Sequence, residues 1–245
     1  RFGNPEAGKS AAAPFQNGKF EVKPAEVIVM TGQTNLVREQ KSGEFEAVAA
    51  HALADKAPRF RSMAWEGDTV YEQWRDLNFG SWTAQLDAAG TTMVIVQYGQ
   101  MEALDGKARL TEFTTAYHRL LDQFSARTKR LVLVSPMPFE KPLASHAPDL
   151  TFRKTEVALY AKAVRDIAKQ RGAVYVDLFT PLSKRANNAA RLTEDGIHPT
   201  ASGLRVVAQI IAAELGSLTG PQSVPANLRE TIVEKNQLWF DVWRP

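Results

Sequence analysis

In DGIHPTASG, residues 195–203, Asp195 precedes His198 by three positions on a short loop that runs into an apolar stretch. A histidine that takes a proton from a hydroxyl needs one ring nitrogen free and the other held by an acceptor. A carboxylate on the same tight loop supplies that acceptor. Gly196 lets the loop turn, and Pro199 disfavours helix at His198, which leaves the ring on a defined turn. The alternative is structural: Asp195 caps a helix starting near Ser202 and His198 packs at its end. Thr34 suits the N-cap of the helix that follows it.

These residues need a scaffold, and the pattern from about residue 25 supplies one. EVIVMTG (26–32) is a short β-branched and apolar run ending in glycine, the form of a buried parallel strand. A helical segment follows to about residue 54, with Phe45, Val48, Ala49 and Leu53 at helical spacing. Then come FRSMAWEG (60–67, strand), TMVIVQYG (92–99, strand), a helix over 110–127, RLVLVSPMP (130–138, strand), a helix over 153–171, AVYVDLF (173–179, strand) and a last core helix over 202–215. Strands alternating with helices of this length predict a three-layer α/β/α sandwich with a central, mostly parallel sheet of about five strands. Residues 1–24 have no sustained period and read as an arm or linker, 25–219 as the domain, and 220–245 as a helical and aromatic tail.

In an open parallel sheet, ligands sit beyond the carboxyl ends of the strands. The residues there are Gly32, Gln33, Thr34 and Asn35 after the first strand; Ala64, Trp65, Glu66, Gly67 and Asp68 after the second; and Gly99, Gln100, Met101 and Glu102 after the third. Trp65 is either a sugar-stacking platform or core packing. Glu66 and Asp68 either bind a cation or form a solvated loop, and Glu102 with Asp105 reads as a solvated loop. His51 and His118, within helices, and His146, in a Pro-flanked loop, read as surface or packing. Ser135 is a substitute nucleophile or simply turns the chain into Pro136. Nothing has the spacing of a zinc site or a phosphate-binding glycine loop, so no metal or cofactor is expected, and the lack of GxGxxG after the first strand counts against a dinucleotide.

The order and spacing of these four blocks resemble the SGNH, or GDSL-type, hydrolases over roughly residues 26–215. That resemblance implies a hydroxyl nucleophile at Thr34, a base at His198 oriented by Asp195, and an oxyanion hole and pocket drawn from Gly32, Gln33, Ala64, Trp65, Gly67, Gly99, Gln100 and Met101. The chain departs from the family at three blocks: Gly32-Gln33-Thr34 replaces Gly-Asp-Ser, Ala64 replaces a glycine, and Met101 replaces an asparagine. The extra methyl of Thr34 restricts its hydroxyl, and a thioether cannot donate to an oxyanion. Gln100 is the neighbouring substitute donor, although adjacent residues of an extended segment point to opposite sides. The strings LNFG (77–80), VSPMPFE and VDLFTP and the WF..WRP tail narrow the likeness to SGNH-like domains of planctomycete-type multidomain proteins. Two functions follow from the resemblance: a carbohydrate ester hydrolase with impaired or lost activity, or a degenerate SGNH-fold module that binds or assembles. It also implies export to the periplasm or cell envelope.

Composition narrows the partners. The chain has 245 residues, 44% hydrophobic and 23% charged, enough to bury one substantial core. Thirty basic residues are scattered among 27 acidic ones for a net charge of +3, which gives no electrostatic argument for nucleic acid. No apolar run approaches the roughly 20 residues that span a bilayer. The absence of cysteine removes disulfides and thiolate chemistry. Arg1 in place of a methionine reads as processing or trimming. Trp239, Phe240 and Trp243 need a surface to bury against: their own domain, a protein partner or a continuation of the chain.

Overall fold

The expected alternation is realised as five parallel strands, β1 (Val27–Gly32), β2 (Arg59–Ser62), β3 (Met93–Gln97), β4 (Leu131–Val134) and β5 (Val174–Val176), in the order β2-β1-β3-β4-β5. The computed structural model describes residues 12–73, 80–144, 147–185, 189–216, 218 and 224–243. His146, residues 77–79 of LNFG and the first residues of the tail lie outside them.

Successive strand residues face opposite sides of the sheet, and both sides are covered. Ile28, Met30 and Ile95 pack with α1 (Thr34–Ser42), α2 (Glu44–Ala52) and α7 (Ala201–Leu215). Val29, Val94 and Val96 pack with α3 (Trp82–Ala88), α4 (Leu110–Ser125) and α5 (Lys154–Arg171). On α4 the buried set Phe113, Tyr117, Leu120, Leu121 and Phe124 recurs at helical spacing, and each such side chain stabilises the fold by roughly 1.5–3 kcal/mol. The chain passes from β1 to β2 on one side and then crosses to β3 on the other. The strand order therefore places its switch point, where such sheets take their ligands, at the carboxyl ends of β1 and β3.

Local chemistry explains where the elements differ from expectation. The single helix expected up to about residue 54 is two, because Gly43 adopts φ +64°, ends α1 through its N–H to the Glu39 carbonyl (2.8 Å) and starts α2. β2 stops at Ser62, short of the expected 60–67, and the chain turns between Trp65 and Asp68. α3 and α6 (Phe179–Ser183) lack a periodic pattern in the sequence, being too short to show one. The signal for α3 was Ser81, whose hydroxyl caps it by accepting from the Ala84 amide.

Within the N-terminal segment, residues 12–24 bury Phe15, Phe20 and Val22 in the core. They also enclose Arg130, whose guanidinium stands 4.5 Å over the Phe15 ring and bonds the Glu21 carbonyl (2.6 Å) and the Glu26 carboxylate (3.1 Å). Removing one partner of such a buried cation costs about 3–5 kcal/mol. The tail forms α8 (Ala226–Trp243) against α1, α2 and β2. Ile232 and Asn236 are buried, Lys235 pairs with Glu46, and the Trp239 indole donates to the Ser62 carbonyl at 2.8 Å while stacking on Trp243. The aromatic group thus folds back on its own domain. Among the described residues no helix is long and apolar enough to cross a membrane.

Candidate active site

The turn from β1 into α1 is fixed by close backbone approach. Gly32 has φ +143°, and a Cβ there would run into the Gln97 carbonyl of β3, so only glycine fits. The Gln33 N–H then bonds that same carbonyl at 3.2 Å. Gln33, not Thr34, occupies the N-cap position of α1, and its side chain makes no cap; it turns inward to Glu102 (2.9 Å) and the Asp68 carbonyl (3.1 Å). Thr34 is the first helical residue and only 4% exposed, and its hydroxyl donates to Glu66 Oε1 at 2.7 Å. The capping alternative for Thr34 does not hold. Its backbone N–H lies in the first turn, where helices leave amides without helical acceptors.

The Asp195–His198 loop has the arrangement expected of an oriented base. Asp195 Oδ1 accepts the amides of Ile197 (3.0 Å) and His198 (2.9 Å), and Oδ2 lies 2.6 Å from His198 Nδ1. Partial burial opposes ionisation of Asp195, but the His198 amide, the His198 ring and the Ile197 amide together hold its carboxyl down at about 2. An ionised Asp195 requires the proton on Nδ1, which leaves Nε2 as the acceptor. Asp195 does not cap α7; the Thr200 hydroxyl does, accepting the Gly203 amide at 3.0 Å. Glu140 braces the loop from outside through the Leu192 and Thr193 amides (3.0 and 2.8 Å), while its own N–H donates to the Gly196 carbonyl (3.0 Å). Gly196, at φ +98°, has no room for a Cβ against the Glu140 carbonyl.

The two halves meet at Glu66. Its Oε1 accepts the Thr34 hydroxyl and lies 3.8 Å from His198 Nε2, so one carboxylate oxygen neighbours both the hydroxyl and the ring nitrogen. Sequence reasoning weighed Glu66 only as a cation ligand or a solvated loop residue. Its place directly after β2, facing the crevice, was the available signal. Trp65 beside it is half-buried, Gly67 is exposed at φ +85°, and Ala64 is fully buried in the core.

Glu102 is the second residue the sequence undervalued. Instead of a solvated loop side chain it is a buried carboxylate that joins the loops after β1, β2 and β3, accepting from Gln33 Nε2 (2.9 Å), the Val70 amide (2.8 Å) and the Gly99 amide (2.9 Å). Burial pushes its pKa up, against the pull of those donors. The amide of Gln100 donates to the Met137 carbonyl at 3.2 Å, and Met101 packs half-buried against apolar neighbours, so neither side chain takes over the missing asparagine's place as a donor at the crevice. Ser135 is fully buried and its oxygen accepts the Leu178 and Phe179 amides, which removes it as a nucleophile and makes it the anchor of the β5–α6 turn. His51 is exposed on α2, and His118 accepts from Arg171. Among the described residues no group of three or more His, Cys, Asp or Glu side chains could hold a metal.

Comparison with solved structures gives the same architecture. The fold superposes on a diltiazem-metabolizing gut microbial enzyme (TM-score 0.64, 15% identity, 82% of this chain and 49% of that one). It also superposes on an acetylxylan esterase from Geobacillus stearothermophilus in a catalytic mutant form (0.63, 14%, 83% and 100%) and on an α/β hydrolase from the metagenome of Lake Arreo, Spain (0.61, 19%, 81% and 98%). The chain therefore spans about half the length of the first of these and essentially all of the other two. A search of the curated proteins finds no match. The family profile, by contrast, covers residues 31–206, from the end of β1 through the Asp195–His198 loop and into α7, and on that match the chain belongs to the GDSL-like lipase/acylhydrolase family.

Proposed function

We propose that the protein is a slow ester hydrolase acting on acylated carbohydrate, with Thr34 as nucleophile, His198 as base and Asp195 as the residue that orients it. The observation that carries this reading is the Asp195–His198 pair, with Nε2 free and the Thr34 hydroxyl bound to the same Glu66 oxygen that Nε2 faces. Glu66 is half exposed and can turn to solvent. The Thr34 proton then passes to Nε2 as Oγ1 attacks the ester carbon, and the carbonyl oxygen becomes an oxyanion facing the backbone amide of Thr34 in the first turn of α1. Collapse returns the proton from His198 to the leaving sugar hydroxyl. Water, deprotonated by His198, then releases the acyl group and restores Thr34.

The likeness to an acetylxylan esterase fold supports an acetylated sugar as substrate. Slowness follows from chemistry. The Thr34 methyl crowds a tetrahedral centre, and loss of one oxyanion donor at Met101 costs roughly 10²- to 10³-fold. One observation favours a second reading, a family member that binds without turnover: the nucleophile's hydroxyl is already taken by Glu66. Hydrolysis of p-nitrophenyl acetate and acetylated xylo-oligosaccharides decides between them. Turnover that vanishes in both Thr34→Ala and His198→Ala supports the esterase. A folded protein with no turnover, or turnover indifferent to both substitutions, overturns it.

A further inference from the structure

A cavity of about 390 Å³ opens beside the His198 loop, where the chain leaves β4 and α6, and its lining carries Lys141, Lys154, Arg185 and Arg191 against a single carboxylate, Glu140. That volume lies within the range of small-ligand sites. Glu140 offsets at most one of the four charges, and its carboxylate is held in place by the Leu192 and Thr193 amides and the Thr193 hydroxyl. Among the described residues none of the four is in an ion pair. Lys154 reaches only the Ser183 carbonyl (3.3 Å), Arg185 the Ala190 carbonyl (2.7 Å) and Arg191 the Lys141 carbonyl. Two donors on lining residues, Arg191 Nε and the Ser183 hydroxyl, are buried with no acceptor among the described residues. Four cations against one carboxylate on a single lining favour an anionic occupant.

The cavity adjoins the backbone supports of the candidate active site. Glu140 and Leu192 line it, and the same two residues hold the loop that carries Asp195 and His198. It lies at the carboxyl end of the sheet, where a chain of linked sugars crossing the crevice would continue. Resting on the carbohydrate esterase reading, we infer that this cavity is a subsite for a carboxylate-bearing sugar, so that the substrate is an acylated acidic glycan. The cations of Lys141, Lys154, Arg185 and Arg191 supply the field and the donors that favour its carboxylate.

Titration calorimetry of the intact 245-residue protein tests this with three probes: trigalacturonate, neutral xylotriose and inorganic phosphate. The expected result is binding of trigalacturonate at least tenfold tighter than xylotriose, weakened by salt and reduced tenfold or more in the double variant Lys141→Ala/Lys154→Ala. Both lysines are exposed, so the variant keeps the fold, which a thermal melt checks. Thr34→Ala binds trigalacturonate as the parent does, so the subsite stands or falls separately from turnover. Equal binding of xylotriose, binding of phosphate alone, no binding of any probe, or affinity unchanged in the lysine variant would overturn the inference.

Discussion

The Thr34 hydroxyl donates to Glu66 at 2.7 Å, and that contact puts a carboxylate oxygen where a base must reach the nucleophile. His198 Nε2 lies 3.8 Å from the same oxygen. Removing the carboxylate should free the hydroxyl for His198. We expect Glu66→Ala to raise kcat/KM on aryl acetates up to about tenfold, the worth of a hydrogen bond of roughly 1.4 kcal/mol given up in the ground state. A fall in kcat/KM would instead make Glu66 a participant in the reaction.

Met101→Asn restores a side-chain donor beside Gly99. Since a missing oxyanion donor costs roughly 10²- to 10³-fold, even an imperfectly placed amide should raise kcat by about tenfold while leaving KM within about twofold. Steady-state kinetics on the same esters reads both.

Gly203 lies inside α7, where alanine would ordinarily stabilise a helix by about 1 kcal/mol. Here a Cβ would run into the Leu192 carbonyl, part of the backbone that carries the His198 loop. The clash outweighs the propensity, and Gly203→Ala should lower unfolding free energy by at least ~2 kcal/mol in urea titrations. A stabilised variant would show that the loop yields.

Burial pushes Glu39 up to about 8, against the amides of Glu46 and Phe45 and the Ser42 hydroxyl that it accepts; Glu46 and Lys235 are the charged groups facing it. Above the ordinary value of 4.5 the unfolded chain has released this proton and the folded chain retains it, so Glu39's contribution to stability falls as pH rises from about 4.5 to 8. Glu39→Gln keeps the two amide bonds to Oε1, turns the Ser42 contact into one that the side-chain NH2 donates, and removes that fall. Thermal melts should show the variant more stable by at least ~2 °C at pH 8.5 and little changed at pH 4.5.

Trp239 fastens α8 through its bond to the Ser62 carbonyl, the Arg61 guanidinium 5.0 Å over its ring and its stack on Trp243. Trp239→Ala should cost about 2 kcal/mol, less than a fully buried tryptophan because the side chain is half-buried. Val242, 60% exposed on the same helix, should tolerate alanine within about 0.5 kcal/mol. Equal effects at both positions would mean that α8 is not fastened by its tryptophan.

Sequence by itself determined the layered fold and half of the site. Strand and helix periods are local, so the five strands, the long helices and the crevice at their carboxyl ends were legible without contacts. The Asp195–His198 pair was legible for the same reason, because three residues on one tight turn cannot lie far apart. Gly43 was also a local signal, and weighing it would have divided the helix before α2. Tertiary structure alone decided which group neighbours both Thr34 and His198. Glu66 reaches them from the loop after β2, 32 residues from Thr34 in the chain, and no local pattern encodes that meeting. Glu102 became a buried brace because three loops converge on it, and Trp239 of the tail reaches back to the Ser62 carbonyl of β2. In each case the outcome depends on which loops the parallel sheet brings to one end, a long-range consequence of strand order that composition and spacing do not carry.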